Sequence, residues 1–411
     1  MSDHDSTPTP TPTPTPVRDA PVGAGAAAPR VDAHPTWVEI DRAALVHNAR
    51  ALRAWVAPAA LMAVVKGNAY GHGQREVSDA LRGEVDWFGV NSLAEAELLR
   101  AEGHDGPVLI LGHTPPAGAD AVVRGGFRQV LYDEAGVEAL AAAAERRGRA
   151  ALVHLEIETG TNRLGVRPAS AAALAAAVRA RPALALEGAY AHFANVEDSL
   201  DDSFAERQLG RFREAVAEVE RGGPLRLKHA AATAASVLYA RTRFDLVRAG
   251  IGLYGLWPSA VTERAAREAG LALELRPVLA WKARVAHVND VPLGETVGYG
   301  CAYYASQPRR VATLPVGYYE GFDRGLSGLG PEGGGVVLVG GRPAPVVGRV
   351  AMNMCMVDVT RVPGVRVGDE VVLIGRQGEA RASAEAMAER LGTINYEVVT
   401  RIAASVPRVV V

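Results

Sequence analysis

Several reactive side chains stand at or near the ends of short apolar runs in this chain of 411 residues. Lys66 follows Ala63-Val64-Val65. Glu156 and Glu158 close a run that begins at Leu152, with Arg163 just beyond, and His192, His229 and Arg248 each end a later run. This set is not a nucleophile with its base and orienting acid, nor a carboxylate cluster for a hard metal. None of the 10 histidines falls in a His-x-x-His spacing and the two cysteines are far apart, so no metal is expected. A lysine attended by arginine and histidine suits an anionic, aromatic, aldehyde-bearing cofactor, which is pyridoxal phosphate (PLP). Burial after the apolar run lowers the Lys66 pKa from its reference of about 10.4, and a neutral amine can condense with an aldehyde. Taken alone, a lysine snorkelling from a strand end accounts for Lys66 equally well.

Such side chains need a scaffold that gathers many strand ends at one face. Strand-like runs recur at Leu61–Lys66, Trp87–Val90, Val108–Gly112, Gln129–Tyr132, Leu152–Glu158, Leu186–His192, Leu225–His229 and Phe244–Arg248. Helix-length stretches such as Ala94–Ala101, Ala171–Arg179 and Phe204–Arg221 lie between them. This α/β alternation predicts a (β/α)8 barrel of the TIM type, with its active site at the C-terminal ends of the strands. A doubly wound open sheet would want a glycine-rich first turn, and Lys66-Gly67-Asn68-Ala69-Tyr70-Gly71-His72-Gly73 is not that fingerprint. Upstream, Trp37–Ile40 alternates like a strand, and Asp41 can cap a helix through about Leu52. After about Leu273, valine-rich runs at Ala283–Val288, Val311–Val316, Val336–Val339 and Val371–Ile374 predict a mostly β domain, with one helix at Ala384–Leu391. The expected division is a Thr/Pro/Ala-rich tail over 1–35, a PLP-binding barrel over 36–272 and a β domain over 273–411.

The alternating Thr-Pro segment Thr7–Pro16 lacks side chains to bury and predicts an extended, mobile tail. The net charge of −2 asks for no nucleic acid. No apolar run approaches the ~20 residues needed to span a bilayer, and no secretion signal is visible. Cys301 and Cys355 imply no disulfide framework and read as small buried apolar residues. A cytoplasmic protein with neither membrane nor nucleic-acid partner is the expectation.

Ala63-Val64-Val65-Lys66-Gly67-Asn68-Ala69-Tyr70-Gly71-His72-Gly73 resembles the PLP-lysine signature of the alanine racemase family, which commonly has Ala-Asp in place of Gly67-Asn68. The resemblance continues through Thr159–Gly165, Ala191–Ala194, Arg248–Gly255, Gly298–Gly300, Pro315–Tyr318, Gly348–Met352 and Ile394–Glu397. It covers nearly everything from Trp37 to Pro407.

The resemblance implies interconversion of L- and D-alanine, supplying D-alanine for peptidoglycan. Lys66 would serve one face of the substrate carbon, and Tyr299 from the partner subunit of a homodimer the other. Racemisation needs a proton acceptor and a donor on opposite faces; read alone, Tyr299 is a core tyrosine. Arg248 would face the pyridine nitrogen and, keeping its own proton, leave that nitrogen unprotonated; read alone it forms a surface ion pair. Tyr70, Thr233 and Tyr396, with the amides of Gly250 and Ile251, would hold the phosphate, the amides acting as free donors. His192 would flank the ring, or, as a lone histidine, sit hydrogen-bonded in a core. Arg163 would contact the phenolic oxygen and the substrate carboxylate, Met352 would offer its amide to that carboxylate from the partner subunit, and Tyr318 would line the access route. Asn353 stands where the family commonly has aspartate. Glu156 stands seven residues before Arg163, where many relatives carry a carbamylated lysine. We expect Glu156 to supply that negative charge directly and to orient Arg163 by a charge-assisted hydrogen bond; read alone, it pairs with some other barrel residue. The alternatives are a serine or broad-specificity racemase on the same scaffold, or a non-catalytic PLP-binding barrel, which would lack the C-terminal β domain. A decarboxylase of this barrel type would place a carboxylate where Arg248 stands.

Overall fold

The structure is a computed structural model and describes residues 33–199, 201–330 and 333–411; Thr7–Pro16 lies outside the described residues. The first elements are β1 (Thr36–Ile40) and the helix Arg42–Val56. Asp41 caps that helix as expected, its carboxylate accepting from the Ala44 amide at 2.8 Å.

The expected barrel follows. Its eight parallel strands are β2 (Ala60–Val64), β3 (Trp87–Val90), β4 (Val108–Ile110), β5 (Arg128–Leu131), β6 (Ala151–Glu156), β7 (Leu184–Tyr190), β8 (Leu227–His229) and β9 (Leu246–Ala249). Neighbours pair in sequence order from β2 to β8, and β9 returns to pair with β2. Between β8 and β9 closure continues through Asp245 N to Lys228 O at 3.0 Å and Arg248 N to Ala231 O at 3.1 Å. Alternation sends one set of side chains inward, where Met62, Val64, Trp87, Leu109, Val130, Tyr190 and Leu246 pack together. The other set, among them Leu61, Ala63, Phe88, Val153 and Ala189, packs under the surrounding helices. The barrel is therefore filled rather than hollow, and a site has room only at its mouth.

The C-terminal part is mostly β, as expected. Its main sheet includes β10 (Leu279–Arg284), Val336–Val339, Arg342–Pro345, Glu370–Gln377 and the last strand, Arg408–Val410. The helix at Ala384–Leu391 is present, and a second, Asn395–Thr400, was not foreseen. The predicted run Ala283–Val288 straddles a turn between β10 and the next strand, His287–Val291.

One assignment is corrected. Residues 36–40, read with the barrel, join the other sheet: β1 pairs antiparallel with β10 (Val38 opposite Trp281) and parallel with Arg408–Val410. Alternation identifies a strand but carries no address for its partner, here more than 200 residues away.

Candidate active site

β2 stops at Val64, and Lys66 opens a turn in which Gly67, Asn68, Ala69 and Tyr70 have φ of 62°, 54°, 53° and 53°. Each non-glycine residue held left-handed costs about 1–2 kcal/mol, so the turn needs external ties. Glu95 accepts from the Gly67 amide at 2.8 Å, and the Asn68 side chain accepts from the Gln74 amide at 2.9 Å. Arg408, on the last strand, donates to the Gly71 carbonyl from Nε at 3.1 Å and Nη2 at 2.6 Å. Lys66 thus follows the strand instead of ending it, and the strained turn points it into a cavity of about 250 Å³ at the barrel mouth.

That cavity brings together Lys66, Tyr70, Arg163, His192, Thr233, Arg248, Gly250, Ile251 and Tyr396. Lys66 is reached by solvent through the open mouth, yet the protein around it desolvates the ammonium and lowers its pKa. Arg163 and Arg248 push the same way, and Glu95 opposes them. Arg248 is 4% exposed. Its Nη2 donates to the carbonyls of Ala191 at 2.9 Å and Ala230 at 3.0 Å and contacts His192 Nδ1 at 3.2 Å, while Nη1 contacts His229 Nδ1 at 2.9 Å. Burial lowers its pKa to about 10, so it remains a cation at neutral pH. His192 is pushed down to about 3 by burial and by the charges of Arg248, Arg163 and Lys66, and is therefore neutral.

Across the mouth, the hydroxyl of Thr233 accepts from the amides of Gly250 at 3.2 Å and Gly252 at 3.4 Å. A Cβ on Gly250 would sit 2.5 Å from the Tyr70 hydroxyl oxygen, so only glycine permits this approach. Tyr396 donates to Glu197 at 2.9 Å.

Glu156 is buried, and its Oε2 has no hydrogen-bond partner among the described residues. Burial raises its pKa, while Tyr190, Arg163 and Arg248 favour the charged form. Its action on Arg163 is through space, since no hydrogen bond joins the two. Glu158, read as closing that strand, lies past its end instead. It gathers the loop that carries Arg163, accepting from Thr161 Oγ1 at 2.8 Å and from the Arg163 amide at 3.3 Å.

Profiles of the alanine racemase N-terminal and C-terminal domains match residues 40–258 and 278–410. The chain belongs to the alanine racemase family. It is 41% identical to the alanine racemase of Desulfovibrio desulfuricans over 92% of this chain and 98% of that one. Against the alanine racemase of Methanococcus maripaludis the identity is 35%, with the same coverage. Among solved structures, an alanine racemase from Streptomyces coelicolor A3(2) superposes with a TM-score of 0.85 at 35% identity, covering 92% of this chain and 98% of the other. One from Bacillus anthracis with bound L-Ala-P gives 0.84 at 32%, covering 92% and 95%.

Not every residue that the family resemblance nominated reaches the cavity. Tyr299, Tyr318 and Met352 do not line it, and lie exposed on the C-terminal domain. The sequence reading also missed four contributors. Tyr190 lies under Arg248, whose guanidinium carbon is 4.9 Å from the ring centroid; alternation with His192 was a usable signal. Glu95 was legible as the fourth residue of a capping box begun by Ser92, but its second task at Gly67 was not. Nothing local marked Glu197 or Arg408. Cys301, read as a small buried residue, is exposed, whereas Cys355 is buried.

Proposed function

We propose that this protein interconverts L- and D-alanine using PLP, with Lys66 as the cofactor lysine and the shared site of a homodimer as the reacting centre. The observation that carries the reading is the pairing, in one cavity, of a lysine of lowered pKa with a buried arginine that hydrogen-bonds only to carbonyls and histidines.

The residues present fit the cofactor. Glycine at 250 leaves the gap that the Tyr70 hydroxyl approaches; Thr233, Tyr70 and the Ile251 amide would supply donors for a phosphate, and the Gly250 amide and Tyr396 hydroxyl, bonded to Thr233 and Glu197, would turn to it. His192, neutral, would flank the ring. PLP bound here would supply an electron sink that makes the substrate's Cα–H acidic. Arg248 would present only N–H groups to the ring nitrogen, so no proton can be placed there. Held in this way, Arg248 would keep the ring nitrogen from drawing off charge and so would favour return of the proton to Cα.

Arg163 would bind the substrate carboxylate, joined by the Met352 amide of a second subunit, with Tyr318 at the approach. Lys66, its ammonium disfavoured by burial, would accept and return the proton on one face. Tyr299 of the other subunit would do so on the opposite face. Exposed aromatic and thioether side chains on the C-terminal domain suit a surface that covers a second barrel mouth. In the cell, the product would serve peptidoglycan synthesis in the cytoplasm.

The decisive experiment records the visible spectrum of the PLP-loaded protein before and after L-alanine, with chiral analysis of the product. A cofactor band that is lost in Lys66→Ala, together with D-alanine from the unaltered protein, is the expected result. A band without racemisation of alanine redirects the reading to serine and other amino acids. No band after added PLP overturns it.

A further inference from the structure

Beneath the cavity a line of buried polar side chains leaves Arg248 and descends through the barrel. Arg248 Nη1 is 2.9 Å from His229 Nδ1, His229 Nε2 is 2.9 Å from His154 Nδ1, and His154 Nε2 is 3.2 Å from Glu187 Oε2. Both histidines are fully buried. Tyr190 stacks flat on His229, with ring centroids 4.9 Å apart and planes within 8°. At the lower end, Arg128, the first residue of β5, donates to Glu187 Oε2 at 3.3 Å, and Arg226, just before β8, donates to Oε1. The line therefore joins the C-terminal mouth of the barrel to the N-terminal ends of its strands.

One chemical fact orients every proton in this line. A guanidinium only donates. The Arg248 contact therefore requires a lone pair on His229 Nδ1. Neutral His229 then carries its proton on Nε2 and donates to His154 Nδ1. The proton of His154 is left on Nε2, pointing at Glu187. The line must end on a pure acceptor, and an ionised carboxylate is one. Burial works against the Glu187 charge, but the hydrogen bonds from His154 and Arg226 and the charge of Arg128 outweigh it and hold its carboxyl below the usual carboxylate range. Burial and the Arg248 charge drive the His229 pKa far down, which agrees with the neutral form.

Two backbone features are shaped around the line. Val153 pairs with Leu186, but the next residue, His154, pairs with Gly188, so Glu187 is an extra residue bulged out of the β6–β7 ladder. Regular alternation would send Glu187 to the outer face with Ala189; the bulge turns it to His154 instead. At Gly188, a Cβ would lie 2.9 Å from two atoms of the His154 ring. The missing side chain is the room in which that ring sits.

We propose that Glu187 and His154 are positioning residues for the reaction, holding Arg248 through His229 as a fixed, donor-only cation against the cofactor's ring nitrogen. The proposal rests on the functional reading above. Without the carboxylate, the His154 Nε2–H has no acceptor at the lower end, and the tautomers are held from the Arg248 end alone. His229 can then turn its own proton toward Arg248, which strands a buried N–H and frees the guanidinium to move.

The first test uses cofactor-free protein with 15N-labelled histidine, assigned with His154→Gln and His229→Gln. Long-range 1H–15N spectra at neutral pH are expected to show both histidines neutral with the proton on Nε2. A proton on His229 Nδ1 overturns the proposal. The second test measures, in loaded enzyme, half-transamination turnovers (alanine converted to pyruvate) per racemisation turnover. Glu187→Leu is expected to raise that ratio about tenfold, the usual scale for losing an outer orienting partner. Glu187→Gln, which keeps an acceptor for His154, is expected to restore most of it. An unchanged ratio in Glu187→Leu overturns the proposal, even if turnover is slower. Should Glu187→Leu fail to fold, Glu187→Gln is read by the His154 Nε2–H shift. An upfield movement, as the acceptor loses its charge, supports the line, and an unmoved signal overturns it. The two levels fail differently. A racemase with the opposite tautomers sinks the relay alone. A protein with the expected tautomers that racemises nothing sinks the assigned role together with the functional reading.

Discussion

At the barrel mouth, Arg248, Thr233 and Glu156 are buried, and each is tuned by what surrounds it: carbonyls, a hydroxyl-bound amide, a neighbouring charge. On the C-terminal domain, Tyr299, Tyr318 and Met352 are 74%, 45% and 55% exposed, and Tyr304 and Tyr319 lie open beside them in sequence. The first region can set the charge of its groups within a single chain, because burial and fixed dipoles do the work. The second cannot, since an exposed phenol has water as its environment. If Tyr299 is to exchange protons, a second surface must finish its surroundings. On the proposed reading, the chain completes one half of its chemistry alone and needs a second surface for the other.

The largest expected effect tests that division. Lys66→Ala should lower kcat by at least about 10³-fold, and Tyr299→Phe by about 10²–10³-fold. If sites are shared between subunits, the two inactive variants should rescue each other. Random mixing by co-expression puts one intact site in half of the dimers, and about a quarter of wild-type activity should return. No recovery in dimers proven to be mixed would mean that each site takes both residues from one chain.

A smaller effect is expected at Glu156. Two unit charges several ångströms apart at a protein site interact through space by about 1–4 kcal/mol, so Glu156→Gln should cost at least several-fold in kcat/KM. The loss should appear chiefly in KM for alanine, because Arg163 is the residue proposed to bind the carboxylate. Unchanged kcat/KM would show that the buried carboxylate serves some other neighbour.

The two regions were also unequally legible. The barrel strands stood out because each is short, apolar and followed by a helical stretch, and the reactive residues sit close to those strand ends. What failed there was local. Lys66 and Glu158 were placed on strands, whereas a left-handed turn and a loop carry them. Left-handed Ala69 and Tyr70 are held by Glu95 and Arg408, and no pattern within the turn announces partners that far away. β1 failed for the same reason, its partners lying at Leu279–Arg284 and Arg408–Val410. Tyr299 was legible only through resemblance, since spacing alone makes it one more β-domain tyrosine. The bulge at Glu187 was invisible, because a break in alternation of one residue looks like noise until the ladder is seen.

The smallest effect separates the regions by stability rather than activity. His72 is fully buried, and burial lowers its pKa from 6.5 to about 4. His154, His192 and His229, also in the barrel or at its mouth, are lowered for the same first reason. Between the folded and unfolded pKa values the unfolded chain binds more protons than the native one, so native stability falls as the pH drops through that window. For His72 the window runs from about 6.5 down to about 4. Each such histidine steepens the decline by up to about 1.4 kcal/mol per pH unit. Denaturant unfolding of cofactor-free protein should therefore weaken from about pH 6.5 downward, well before ordinary carboxylates titrate. His72→Asn should make the slope shallower without shifting its onset, because the other three histidines still begin at the same unfolded pKa. Hydrogen exchange at pH 5 should show the barrel strands losing protection ahead of the sheet built on Leu279–Arg284. Equal loss in both regions would mean that the barrel and the β domain unfold as one unit, and the contrast between them would be one of chemistry alone.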